Sequence, residues 1–151
     1  MKILIIAPHA DDESLSMGGT IARYINQGFE VNLVILTGPS ETSHEFISND
    51  LLKTIRTESK RAIKILGIKN TIYLNYPPVT LIDLPQYKFI KSLQEIIYDI
   101  TPDYIFLPFA NDLHKDHRHT SYAVNVICRP YLESSKKLKK VLAYETLSET
   151  N

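Results

Sequence analysis

Two short stretches hold almost all the side chains of this chain that could do chemistry. One is Pro8-His9-Ala10-Asp11-Asp12-Glu13. The other is Asn111-Asp112-Leu113-His114-Lys115-Asp116-His117-Arg118-His119. Together they supply imidazoles and carboxylates and no thiol. Polar, mostly acidic groups that follow directly on an apolar run are costly to fold around unless something uses their charge, and a metal ion is the simplest user. Two histidines and one carboxylate, with a position left for water, make a catalytic zinc pattern; structural zinc sites favour closed, cysteine-rich shells. The same donors suit Fe(II), Co(II) or Mn(II). A metal held this way lowers the pKa of bound water from about 16 to about 7. Adjacent aspartates such as Asp11 and Asp12 point in different directions on a loop, so one can ligate while its neighbour accepts that water's proton. A histidine beside the metal can donate to a developing oxyanion, and a nearby carboxylate would keep it protonated and oriented.

The two stretches lie about a hundred residues apart, so the fold must bring them together. Lys2–Ala7 is a short, Ile-rich run of the kind buried on both faces of a parallel sheet. Glu30–Thr37, Lys69–Asn75, Asp103–Leu107 and Lys139–Leu147 read as four further strands. Helices are predicted over Ser14–Asn26, Asn49–Leu66, Gln86–Ile100 and Asp116–Cys128. Ser14 is the expected N-cap of the first helix, and Gly28 and Gly67 are expected stops. Leu52, Ile55, Ala62 and Leu66 mark the buried face of the second helix; Phe89, Leu93, Ile96 and Ile100 mark that of the third. Residues 38–45, 76–85 and 108–115 read as loops, and residues 134–140 as a basic, solvated connection. Alternating strands and helices imply an α/β fold, a Rossmann-like α/β/α stack on a mostly parallel sheet. Right-handed crossovers favour the order 3-2-1-4-5. That order sets strands 1 and 4 side by side and makes the gap between them the switch point, where a crevice opens. The two polar stretches follow those two strands.

The bulk properties limit the partners. The 151 residues suit one domain with a real core. Lys plus Arg and Asp plus Glu number 17 each, so no basic excess points to nucleic acid or an anionic membrane. No stretch approaches the about 20 apolar residues of a membrane span. The single cysteine, Cys128, cannot form an internal disulfide, which suits a cytoplasmic location. Oligomeric state is left open.

The two motifs together resemble those of the N-acetylglucosaminyl-phosphatidylinositol de-N-acetylase superfamily, the PIG-L or LmbE-like proteins. Pro8-His9-Ala10-Asp11-Asp12-Glu13 and His114-Lys115-Asp116-His117 carry the resemblance. Thr37-Gly38 and Arg56-Thr57-Glu58, leading to Ala62 and Leu66-Gly67, support it. The resemblance implies that His9, Asp12 and His117 hold Zn2+, with Fe2+ or another divalent ion as the alternative. It implies Asp11 as general base. His114 would stabilise the oxyanion and protonate the leaving amine, Asp116 would orient His114, and Arg56 would reach toward sugar hydroxyls. The implied reaction removes an N-acetyl group from an N-acetylglucosamine-type conjugate, a small acetylated amino sugar, to give acetate and an amine. Two departures stand out. Ala10 occupies a position where the family most often has Pro. The chain ends at Asn151, soon after Tyr144-Glu145, where family members usually continue. The expectation is a single de-N-acetylase-like domain over residues 1–151 without the family's C-terminal segment, with a complete metal site and a less complete substrate pocket. A non-catalytic metal- or sugar-binding module, or a metal-dependent amidase on another substrate, are the alternatives.

Other readings compete for single residues. An acidic pair after strand 1 also occurs in receiver domains that bind magnesium, but these need an aspartate ending strand 3, where this chain has Leu74-Asn75-Tyr76. His44 and His119 read as surface residues. Asp112 reads as a turn or cap residue, and Glu13 as a cap of the first helix. Arg56 is nearly as well explained as a solvated salt-bridging residue. Gly18-Gly19 reads as close packing of the first helix on the sheet.

Overall fold

Ile3 to Ala7 are each at most 1% exposed, and their side chains alternate between two cores. The computed structural model describes residues 1–39, 48–130, 132 and 136–146. Strand β1 (Lys2–Ala7) sends Leu4 and Ile6 into one core and Ile3, Ile5 and Ala7 into the other. This is the period-two alternation of a strand covered on both faces. The remaining strands are β2 (Glu30–Thr37), β3 (Asn70–Tyr76), β4 (Tyr104–Pro108) and β5 (Lys140–Tyr144). All pairings are parallel, and the sheet order is β3-β2-β1-β4-β5. The order expected from crossover rules is the one observed.

Helices α1 (Asp12–Asn26) and α2 (Asn49–Leu66) lie over one face, with Met17, Ile21 and Ile63 in its core. Helices α3 (Gln86–Ile100) and α4 (Lys115–Ile127) cover the other through Phe89, Leu93, Ile97, Ala123, Val124 and Ile127. The result is a three-layer α/β/α stack. The buried face of α3 runs through Phe89, Leu93 and Ile97. Ile96 and Ile100, expected at its centre, are half-buried and flank it. In α2 the fully buried positions are Leu52, Ser59 and Ile63, with Ile55, Ala62 and Leu66 half-buried beside them.

Helix α1 starts two residues before the expected Ser14. The Asp11 carbonyl already accepts the Ser14 and Leu15 N–H groups at 3.0 and 2.9 Å, so Asp11 is the N-cap residue. Gly18-Gly19 is not a tight contact with the sheet. A methyl group at Gly18 would meet Leu66 of α2 at an ordinary 3.9 Å, and one at Gly19 would touch nothing within 4 Å. Residues 40–45 of the first expected loop, residues 134 and 135 of the basic connection, Leu147 and His44 lie outside the described residues.

At the end of the sheet away from the two motifs, a polar pin crosses three strands. Buried Asn32 donates from Nδ2 to the Ile3 carbonyl at 3.3 Å, and its Oδ1 accepts from Asn70 Nδ2 at 2.8 Å.

Candidate metal centre

The first motif is fixed by the end of β2. Thr37 donates from Oγ1 and from its backbone N–H to the Pro8 carbonyl, at 2.8 and 3.0 Å. These two hydrogen bonds to the Pro8 carbonyl hold the turn that presents His9. The His9 N–H then donates to Asp12 Oδ2 at 2.8 Å, which folds the Asp12 carboxylate back over the turn. Asp12 is 2% exposed, whereas Asp11, one residue earlier, is exposed. Asp11 stands at the N-cap of α1 and Asp12 in its first turn, where the helix dipole favours negative charge.

The second motif is fixed by Asp112. Its Oδ1 accepts the His114 N–H at 2.8 Å, and Arg118 Nη1 donates to the carbonyls of Asp112 and Leu113 at 2.6 and 2.8 Å. His114 is the N-cap residue of α4, with Nδ1 accepting the Asp116 N–H at 3.2 Å. An Nδ1 that accepts leaves the proton of neutral His114 on Nε2. His117 and Asp116 follow in the first turn of α4, both 0% exposed.

The crevice between β1 and β4 brings these groups together. His117 Nε2 lies 3.2 Å from His9 Nδ1 and 3.4 Å from Asp12 Oδ1, and His9 Nδ1 lies 3.6 Å from Asp12 Oδ2. A tetrahedral shell with metal–ligand bonds of about 2.0–2.1 Å has edges of about 3.3–3.4 Å. The His9–His117 separation is therefore close to one edge of such a shell, and the Asp12 carboxylate stands beside both imidazoles, Oδ1 toward His117 and Oδ2 toward His9. A second set, His9, His114 and His117, offers one atom each within 4.8 Å of one another. The His114 ring stands edge-on to His9 at 4.5 Å between centroids.

Both imidazoles at the centre have a carboxylate behind them. His117 Nδ1 is 2.9 Å from Asp112 Oδ2, and His9 Nε2 is 3.2 Å from Asp116 Oδ2. Carboxylates in this position fix the tautomer and aim of a metal-binding histidine. Asp112 is therefore not merely a turn residue. It is 1% exposed and serves the backbone of His114 and the ring of His117 at once. Its position five residues before His117 was the available signal, and turn propensity masked it. The expected pairing of the Asp116 carboxylate with His114 is not what forms. That carboxylate accepts instead from His9 and from the Val79 and Leu81 N–H groups, because α4 turns the side chain toward the loop after β3.

Electrostatics follow the geometry. Burial alone would lower His117, but Asp12 and Asp112 outweigh it and hold the imidazole up at about 9. A divalent ion entering there replaces a proton. Burial would raise Asp116, yet His9 and the two backbone N–H groups keep it below the usual carboxylate range. Glu13 does not act as an open helix cap. It is fully buried, Oε1 accepts from Ser14 Oγ, and Oε2 has no hydrogen-bond partner. Burial raises its carboxyl to about 7. His119 is half-buried and not a surface residue. Its ring stacks on Phe89 at 5.1 Å, and burial lowers its pKa.

Beside His9 and Asp11 opens a mainly apolar pocket of about 160 Å³, walled by Pro39, Leu52, Ile55 and Pro78 and reached by Arg56. The Arg56 guanidinium lies 3.7 Å over the Tyr73 ring and donates to Asn75 Oδ1. It pairs with no carboxylate among the described residues. Gly38 makes room for it: a methyl group there would lie 2.4 Å from Arg56 Nη2. Asp11 lines this pocket with His9.

A family model described as GlcNAc-PI de-N-acetylase (PIG-L) matches residues 4–128. Diacetylchitobiose deacetylase of Thermococcus kodakarensis is 30% identical over 127 residues, covering 80% of this chain and 46% of that protein. A probable N-acetyl-alpha-D-glucosaminyl L-malate deacetylase 2 of Bacillus anthracis is 33% identical over 129 residues, covering 81% and 57%. Among solved structures, N,N'-diacetylchitobiose deacetylase from Pyrococcus horikoshii superposes with a TM-score of 0.72 at 31% identity, covering 89% of this chain and 52% of that one. The chain thus spans about half the length of these relatives.

Proposed function

The chain belongs to the PIG-L, GlcNAc-PI de-N-acetylase family, and on that premise we propose that it is a metal-dependent hydrolase that removes the N-acetyl group of an N-acetylglucosamine-type conjugate. The observation that carries the reading is the 3.2–3.6 Å spacing of His9 Nδ1, Asp12 and His117 Nε2. These three are assigned as the metal ligands, with zinc as the ion. Zinc supplies Lewis acidity when bound, bringing the pKa of a coordinated water toward about 7. Asp11, exposed beside His9 in the pocket, accepts the proton of the attacking water. The Nε2–H of His114 donates to the oxyanion that forms as water adds to the acetamide carbon. One such donor is worth about 3–4 kcal/mol. As the C–N bond breaks, the Nε2 proton of His114 passes to the departing amine and the proton that Asp11 took from water replaces it, so the acid and the free amine leave with no net proton change at the protein. Arg56, held by Tyr73 and Asn75, is assigned to the sugar hydroxyls at the far side of the pocket. No helix among the described residues is long and apolar enough to cross a membrane. The single cysteine, Cys128, has no second cysteine in this sequence to pair with, which is in keeping with a reducing, cytoplasmic setting.

The test couples elemental analysis of the purified protein to an amine-release screen over acetylated amino sugars. The expected result is one equivalent of a divalent metal and release of acetate with a free amine. Metal without turnover on any amide would favour a binding module. Turnover confined to amides that lack a sugar would favour an amidase of different scope. A protein that takes up no metal would end the proposal.

A further inference from the structure

Val79 has a φ of 66°, a conformation that β-branched residues rarely adopt. Its side chain is 45% exposed, so burial of the isopropyl group does not hold it there. Its N–H does. That group donates to Asp116 Oδ2 at 2.7 Å, and the Leu81 N–H donates to Asp116 Oδ1 at 3.1 Å. The segment after Pro77-Pro78 thus spends backbone strain on fixing one carboxylate that is itself 0% exposed. The third partner of that carboxylate is His9 Nε2, at 3.2 Å. An ionised carboxylate only accepts, so the imidazole nitrogen facing it carries the proton. His9 Nδ1 is then bare, and Nδ1 is the atom that faces His117 Nε2 and Asp12. His114 meets Asp116 at the backbone, through the Asp116 N–H on His114 Nδ1.

We propose that Asp116 is a positioning residue for the metal ligand His9, held to that task by the backbone of residues 77–81. The inference rests on the metal reading above and assigns Asp116 a different imidazole from the one its motif implies. In this arrangement the carboxylate sets which His9 nitrogen is presented to the ion. Exchanging it for an amide puts a donor among three donors, and the imidazole is driven to the opposite tautomer or turned away.

The deciding measurement is zinc affinity of the parent and of Asp116→Asn, by competition with a chromophoric chelator, together with kcat. The expected result is an affinity about 10- to 100-fold weaker in the variant. An affinity within about twofold of the parent, with kcat alone reduced, would overturn the inference, since a group acting only through His114 leaves metal binding intact. A parent that binds no zinc would instead sink the metal reading itself. Should the variant not fold, imidazole 15N shifts of the metal-free parent decide the matter, with His9 identified by comparison with His9→Ala. A proton on His9 Nε2 is expected; a proton on Nδ1 overturns the inference.

Discussion

Asp11 and Asp12 are neighbours in sequence and opposites in surroundings. Asp12 is buried, with Oδ2 occupied by the His9 N–H and Oδ1 turned to His117. Asp11 is exposed and lines the pocket. The proposed function splits these two identical side chains into a holder of the metal and an acceptor of protons. Asp11→Asn should keep the metal and lose about 10²–10⁴ in kcat, read by coupled metal analysis and amine release; full activity would remove Asp11 as the base. His117→Ala should lose the metal, because it deletes one of the three assigned donors. Wild-type metal content in that variant would undo the ligand assignment. Asp112→Asn should weaken zinc binding about 10- to 100-fold without touching a ligand. The donor types and the pairing of the two motifs were legible in the sequence because chemistry restricts them to His, Asp and Glu. The partners behind the imidazoles were not. Which nitrogen meets Asp112 or Asp116 depends on where the first turn of α4 points each side chain, and residue spacing does not fix that.

At the level of the elements, the end of β2 does two tasks within two residues. Thr37 ties down Pro8, and Gly38 leaves space for the Arg56 guanidinium. Gly38→Ala should displace Arg56 and raise KM for a sugar substrate, with zinc affinity unchanged; an unaltered KM would show that Arg56 does not contact substrate. Gly67 caps α2 in the left-handed region at φ 78°. Gly67→Ala should cost about 1 kcal/mol, measured by denaturant unfolding, and leave the centre intact. Element bounds followed closely from hydrophobic period and these glycine stops: Glu30–Thr37, Asn49–Leu66 and Gln86–Ile100 form as the pattern predicts. The start of α1 did not, because a carboxylate-rich first turn has no apolar period to mark it. The side-chain phase of α3 slipped by one residue because Ile96 and Ile97 are chemically equal, and only packing selects between them.

For the whole molecule, the proposed site, assembled from the β1 and β4 ends, would couple metal binding to the integrity of the sheet. A ligand present at 100 times its Kd adds about 2.7 kcal/mol to the folded state. Zinc should therefore raise the melting temperature and chelator should lower it; a melting curve indifferent to zinc would mean that no such site is built into the native fold. Cys128 offers a separate check. Burial raises its thiol to about 12, so the reactive thiolate is scarce at pH 8 and grows about tenfold for each pH unit above it. Alkylation of native protein should be slow at pH 8 and become fast on unfolding. The sheet order was legible at this scale, because alternating elements and crossover rules leave few arrangements. The pocket beside Asp11 was not, since its walls come from residues of ordinary loop and helix composition.

The asparagine pin across β1, β2 and β3 reaches further than its location suggests. Sliding β2 by two positions would preserve every inward-facing side chain yet strand the Asn32 amide among hydrocarbon, a penalty of about 1–3 kcal/mol. Vertical alignment of the three strands is thus decided at the floor of the sheet. The height at which Thr37 catches Pro8, and so the height at which an ion would sit, is inherited from an amide on the opposite side of the protein.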